Sequence, residues 1–167
     1  LADQKGAPAS LKSFFADRIL RPVLEQLKNG ADPDRLSLAA TLGALIGVIP
    51  ILGISTGLGV AVGALLRLNH VVLQTINYLV YPLQLLLFPV FLKLGGVILG
   101  GEVMEFDLGV LREELKKSIP DFLSKYGMIG LKSVVIWSVF SVLIGIPLHF
   151  LLKKIFRKIH TNWKGSS

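Results

Sequence analysis

The chain has 167 residues, 52% of them hydrophobic and only 17% charged, with a formal net charge of +7. A soluble domain carries roughly 25% charged residues, and one core of this size has no room for so much apolar surface. Between Leu36 and Gly101 the only charged side chains are Arg67 and Lys93, and both uncharged runs exceed the ~18 residues that suggest a membrane span.

The basic excess flanks apolar segments, which fits contact with anionic headgroups rather than nucleic acid. There is no cysteine, so disulfides, thiolate metal sites and cysteine nucleophiles are excluded. The three histidines, His70, His149 and His160, have no metal-ligand spacing. No metal, cofactor or catalytic residue is expected. The N-terminus is polar and lacks the pattern of a cleavable leader.

The fold expected is that of an all-α integral membrane protein. Broken, re-entrant hairpins are joined by about two full spans and amphipathic surface helices. Four segments divide it: an amphipathic helix in 1–30, a hydrophobic core with broken helices in 31–101, an acidic surface helix in 102–128, and a transmembrane helix with a basic tail in 129–167.

In the first segment Leu11, Phe14, Phe15, Ile19, Val23, Leu24 and Leu27 recur at helical spacing. The helix either lies on the membrane surface or packs against the protein. Pro22 should kink it and Asn29-Gly30 should end it. Asp32-Pro33-Asp34 then reads as a helix start, with a capping aspartate and proline at the first helical position. The apolar part of that helix, from Leu36 to about Ile49, covers ~21 Å and falls short of a hydrocarbon core of ~30 Å.

Pro50-Ile51-Leu52-Gly53 breaks it. A second short apolar segment runs from about Ser55 to Leu66, and Arg67 returns the chain to a polar surface. Two short helices joined this way predict a hairpin that enters and leaves on one side, with its turn shielded by protein or water. Gly43 and Gly47, and Gly59 and Gly63, stand four apart, a spacing that lets helix backbones approach closely.

From His70 to Gly101 the apolar stretch is interrupted by Pro82 and Pro89. It is either one kinked span or a second broken hairpin. Residues Glu102 to Tyr126 hold six acids and a helical stripe capped by Asp107, which Pro120 breaks or restarts. Gly130 to Leu152 is the clearest transmembrane helix, followed by a basic tail from Lys153. Six basic residues precede Leu36 and five follow Leu152. Both termini are therefore expected in the cytoplasm, in a multi-pass inner-membrane topology.

Within this core, Leu42 to Gly101 resembles the bacterial membrane family DUF2062. The residues that carry the likeness are Gly43-x-x-x-Gly47-x-x-Pro50-x-x-Gly53-x-Ser55-Thr56, then Leu66-Arg67-Leu68-Asn69, then Tyr81-Pro82-Leu83-Gln84, and Leu94-Gly95 and Gly100. Tyr81 departs from the asparagine many members carry. Some members are fused or adjacent to glycosyltransferase-like or acyltransferase-like domains, so the resemblance implies handling of envelope lipid or glycan.

Two patterns stand out as candidate sites. His70, Gln74, Asn77, Tyr78 and Tyr81 form a polar stripe if the segment is one helix. Such groups at membrane depth must face protein or water. They either hold helices together or line a substrate cavity. The second pattern is Pro50, Gly53, Ser55 and Thr56, where Ser55 can cap a helix whose free N–H groups favour phosphate. Arg67 either neutralises that phosphate or reaches the interface. Lys93 reads as interfacial.

No carboxylate pair, Ser-His-Asp set or nucleotide fingerprint appears, so the chain is not expected to be an enzyme alone. Two functions compete. One is a transporter or flippase for a lipid-linked or phosphate-bearing substrate. The other is a non-catalytic anchor or accessory subunit of an envelope glycosyltransferase or acyltransferase. Membrane lipid, a second copy or such an enzyme are the expected partners, and nucleic acid is not.

Overall fold

The structure is a computed structural model that describes residues 21–100 and 107–164. The predicted helix before Arg21 and the acids Glu102 and Glu105 lie outside these residues. Seven helices follow one another, and no strand occurs among the described residues: α1 (Arg21–Lys28), α2 (Pro33–Gly47), α3 (Ser55–Leu65), α4 (His70–Leu79), α5 (Tyr81–Leu99), α6 (Leu108–Lys117) and α7 (Ile119–Lys164).

α2 starts where its sequence says it should. Asp32 is the N-cap, its carboxylate accepts from the Asp34 N–H at 3.0 Å, and Pro33 opens the first turn. Its fifteen residues reach about 22 Å. Nearly all of its faces are buried, which makes it the central helix. Leu36, Ala39 and Ala40 from α2, Leu68, Val72 and Leu73 from the α3–α4 corner, and Phe156 from α7 form the hydrophobic core at one end of the bundle.

α3 runs back alongside α2, because Arg35 at the start of one donates to the Arg67 carbonyl after the other, at 3.3 Å. Its end is a Schellman cap. The Leu68 N–H bonds the Gly63 carbonyl and the Arg67 N–H bonds the Ala64 carbonyl. The seat that glycine normally takes is filled by Arg67 at φ +50°, a strain of about 1–3 kcal/mol. α3 does not begin as expected. Ser55 is the first helical residue, and the N-cap is Ile54, which offers no side-chain acceptor. The capping aspect of Ser55 is thus corrected: its place one residue inside the helix puts it past the capping position.

α4 begins on Asn69, whose side chain accepts from the Val72 N–H and donates to Gln26 in α1. It lies between α2 and α3. A Cβ on Gly43 or Gly47 would meet the backbone of Leu73 or Asn77, and one on Gly59 or Gly63 would meet Leu73 or His70. The two glycine pairs therefore make room for α4 rather than for each other.

Val80 separates α4 from α5, with Pro82 in the first turn of α5. α7 is antiparallel to α2, through Asp34 with Arg157 and Leu45 with Gly145. It is also antiparallel to α5, through Phe91 with Phe140 and Gly95 with Ser133. α4 and α5 thus run in one direction as a kinked stretch, which settles the alternative left open for 70–101 against a second hairpin.

α6 is capped by Asp107, whose carboxylate accepts from the Gly109 and Val110 N–H groups. α7 is one helix of 46 residues, about 69 Å long. The sequence-based boundary at 128/129 falls inside it. Pro120 sits at its second position, where a missing N–H costs nothing, so it starts the helix instead of breaking one. Tyr81–Leu99 and Tyr126–Asn162 are long and apolar enough to cross a membrane, and only 6% of the most apolar window in the second is buried.

Candidate functional site: a clamped helix break

Between α2 and α3 the backbone turns through Val48–Ile54, with Pro50 buried and Gly53 at φ +86°. Such a break costs the last carbonyls of α2 their helical partners. Three side-chain amides donate to carbonyls on either side of it. Gln84 donates from Nε2 to the Ile49 carbonyl at 2.8 Å, Asn77 from Nδ2 to the Ser55 carbonyl at 3.1 Å, and Gln74 from Nε2 to the Thr56 carbonyl at 3.2 Å. From the far side, the Trp137 indole donates to the Leu45 carbonyl at 2.9 Å. Gln84 and Asn77 are almost wholly buried.

These contacts divide the predicted stripe. Gln74 and Asn77 face the break, and the His70 ring packs on Gly63. Tyr78 and Tyr81 are 59% and 48% exposed and point away. Tyr81 also belongs to α5, beyond the interruption at Val80. Of the second group, Ser55 is buried, Thr56 is half-buried with its carbonyl held, and Arg67 stands at the opposite end of α3. The structure therefore brings Pro50, Gly53, Ser55, Thr56, Gln74 and Asn77 together and leaves Arg67, Tyr78 and Tyr81 elsewhere.

Gln84 and Trp137 are the clamp residues that the stripe reading omits. A signal for the second exists in the sequence. Ser133, Trp137, Ser141, Gly145, His149, Lys153 and Arg157 recur every four residues along α7. This row faces α2: Trp137 and Gly145 meet Leu45, and Lys153 and Arg157 meet Asp34. Arg157 forms a bidentate pair with the Asp34 carboxylate at 2.7 and 2.5 Å, and Lys153 adds a contact at 3.0 Å. The Arg157 hydrogen bonds, followed by that of Lys153, hold the Asp34 carboxyl at about 2, below its ordinary 3.8.

Some buried acceptors stay open. Gln74 Oε1, Gln84 Oε1, Ser141 Oγ and His149 Nδ1 have no partner. Gln74 and Gln84 thus use their N–H groups on the backbone and keep their oxygens unpaired. A shallow surface pocket lined by Glu114, Lys117, Ser118, Asp121 and Phe122 lies at the α6–α7 corner, apart from the break. Among the described residues no group of histidine, aspartate or glutamate side chains is placed to hold a metal ion.

No curated protein and no solved structure matches the chain. A family model described as "Uncharacterized protein conserved in bacteria (DUF2062)" matches residues 12–164. That match takes in the hairpin, its amide clamp and the long final helix, and by it the chain belongs to the DUF2062 family.

Proposed function

We propose that the chain is a multi-pass module of the bacterial inner membrane that acts as a non-catalytic anchor or accessory subunit for an envelope glycosyltransferase or acyltransferase. The observation that carries this reading is the use made of the polar stripe. Gln74, Asn77 and Gln84 spend their donors on carbonyls of the break, whereas the wall of a conduit would offer them to solvent. Broken backbone at membrane depth needs such internal partners. The outward face of α7, with Val139, Val142, Leu143 and Ile146 exposed, suits lipid and a partner helix.

In this reading α2 and α3 form a re-entrant hairpin. Support comes from the Arg35–Arg67 contact, which joins its two ends, and from the ~22 Å reach of α2 against a core of ~30 Å. The basic residues gathered at that mouth orient it to the cytoplasm. Because the chain lacks cysteine, Asp32→Cys and Leu66→Cys can be labelled singly with an impermeant maleimide. Both should react from the same side, and labelling from opposite sides refutes the hairpin. Photo-crosslinkers at Val139 and Ile146 in native membranes should capture an envelope transferase. Adducts to lipid alone would refute the accessory role.

A second reading, a transporter or flippase for a phosphate-bearing lipid, is favoured by one observation. The first turn of α3 has no side-chain cap, so its N–H groups are open to an anion at the break. Headgroup movement across vesicles holding the purified chain tests it. A rate equal to that of protein-free vesicles removes this reading.

A further inference from the structure

We propose that Arg67 and Arg35 at the mouth of the α2–α3 hairpin form a binding site for the phosphate of an anionic phospholipid. Arg67 occupies the left-handed seat of the Schellman cap at φ +50°. Side chains rarely adopt that conformation, and glycine takes it freely. An arginine there works against the fold. What it gains is position: the Arg35 guanidinium is tied to the Arg67 backbone carbonyl, so the two arginine residues stand at one corner.

Neither guanidinium has a carboxylate partner among the described residues. The nearby Asp34 carboxylate is already taken by Arg157 and Lys153. Two cationic residues at one corner without an acid partner among the described residues favour an external anion. Arginine meets phosphate with paired N–H donors. The surroundings choose between a lipid and a free ion. Leu65 is 82% exposed, and Leu66 and Val71, at 46% and 53%, flank the same corner. Apolar side chains beside guanidinium groups match an acyl chain beneath its headgroup, and inorganic phosphate would leave them in water.

This site rests on the reading that the hairpin mouth lies at the membrane surface, and the experiment separates the two. The full chain is reconstituted in phosphatidylcholine vesicles, with and without phosphatidylglycerol. Flotation reports insertion, native mass spectrometry reports retained lipid, and thermal unfolding reports stability. Wild type should insert in both and retain phosphatidylglycerol. Arg67→Gly should be at least as stable as wild type in phosphatidylcholine, since it relieves the strained seat. It should bind phosphatidylglycerol about five-fold more weakly, as expected for one basic group at a membrane surface. Arg35→Gln should lose a similar factor, and Lys117→Gln, at the end of α6, should lose none.

Arg67→Gly that keeps wild-type lipid retention overturns the proposal, and so does Arg67→Gly that is less stable in phosphatidylcholine. Stabilisation of wild type by inorganic phosphate as large as that by phosphatidylglycerol overturns the lipid assignment. Failure of wild type to float with either vesicle overturns the membrane reading and the site with it.

Discussion

A methyl group at Gly43 probes the packing on which the bundle depends. The added Cβ would lie closer than 2.5 Å to the Leu73 carbonyl oxygen and 3.2 Å from the Leu73 Cα. These are backbone atoms of α4, so no rotamer change relieves the clash. Ordinary contact returns only if α2 and α4 separate by about 1 Å, which strips close contacts along the shared face. Overpacking of this kind costs about 1–3 kcal/mol, and the better helix propensity of alanine returns up to about 1 kcal/mol. A net loss of about 1 kcal/mol is expected for Gly43→Ala. Gly57 is the control, because a Cβ there meets nothing within 4 Å. Gly57→Ala should be neutral or gain up to about 1 kcal/mol. Circular dichroism melts in one detergent measure both. At about 2–4 °C per kcal/mol for a chain of this size, Gly43→Ala should melt about 2–4 °C lower and Gly57→Ala no lower than wild type. Equal melting of the two variants refutes the seating of α4 against the Gly43 face.

Other outcomes follow from the same contacts. Gln84→Leu removes one of two donors to the Ile49 carbonyl, which keeps the Ile51 N–H, and should cost about 1 kcal/mol, read as a lower melting temperature; an unchanged or higher one would show that the amide bond contributes nothing. Trp137→Phe keeps an aromatic ring, smaller than the indole, and deletes the bond to Leu45, with an expected loss of at least about 1 kcal/mol in the same melt. The Asp34 carboxyl is lowered from 3.8 to about 2 by Arg157 and Lys153, so its folded form binds a proton less readily than the unfolded chain. Its stabilisation is complete above about pH 4 and fades as the pH falls toward 2. Asp34→Asn should flatten the stability profile in that window, and identical acid profiles for variant and wild type would show that the pair contributes nothing.

Local signals in the sequence mapped directly onto local structure. Asp32-Pro33 starts α2, Asp107 caps α6, and Gly43 and Gly47 mark a close helix approach, because each depends on atoms within a few residues or on the lack of a side chain. Facing is harder to read. His70, Gln74, Asn77, Tyr78 and Tyr81 make one stripe only on an unbroken helix, and the interruption at Val80 together with the seat between α2 and α3 turns the tyrosines outward. Gln84 escapes a stripe search since its partner, the Ile49 carbonyl, is a backbone atom 35 residues away. Ser55 shows a different failure: the right residue type stands one position too late to cap. Pro120 is compatible in the sequence with a break or a restart, and its place in the first turn of α7 makes it a start.

The lodging of α4 in two glycine-lined grooves also dictates an order of assembly. α2 and α3 present Gly43, Gly47, Gly59 and Gly63 to a helix that is synthesised after both of them. Until α4 emerges, those notches are empty and the carbonyls of Ser55 and Thr56 lack the amides of Asn77 and Gln74 that tie them across. The first two helices therefore cannot mature as a finished pair. The smallest competent folding unit reaches at least to Leu79, and a ribosome stalled before that residue should leave a nascent chain that proteases cut within 48–54.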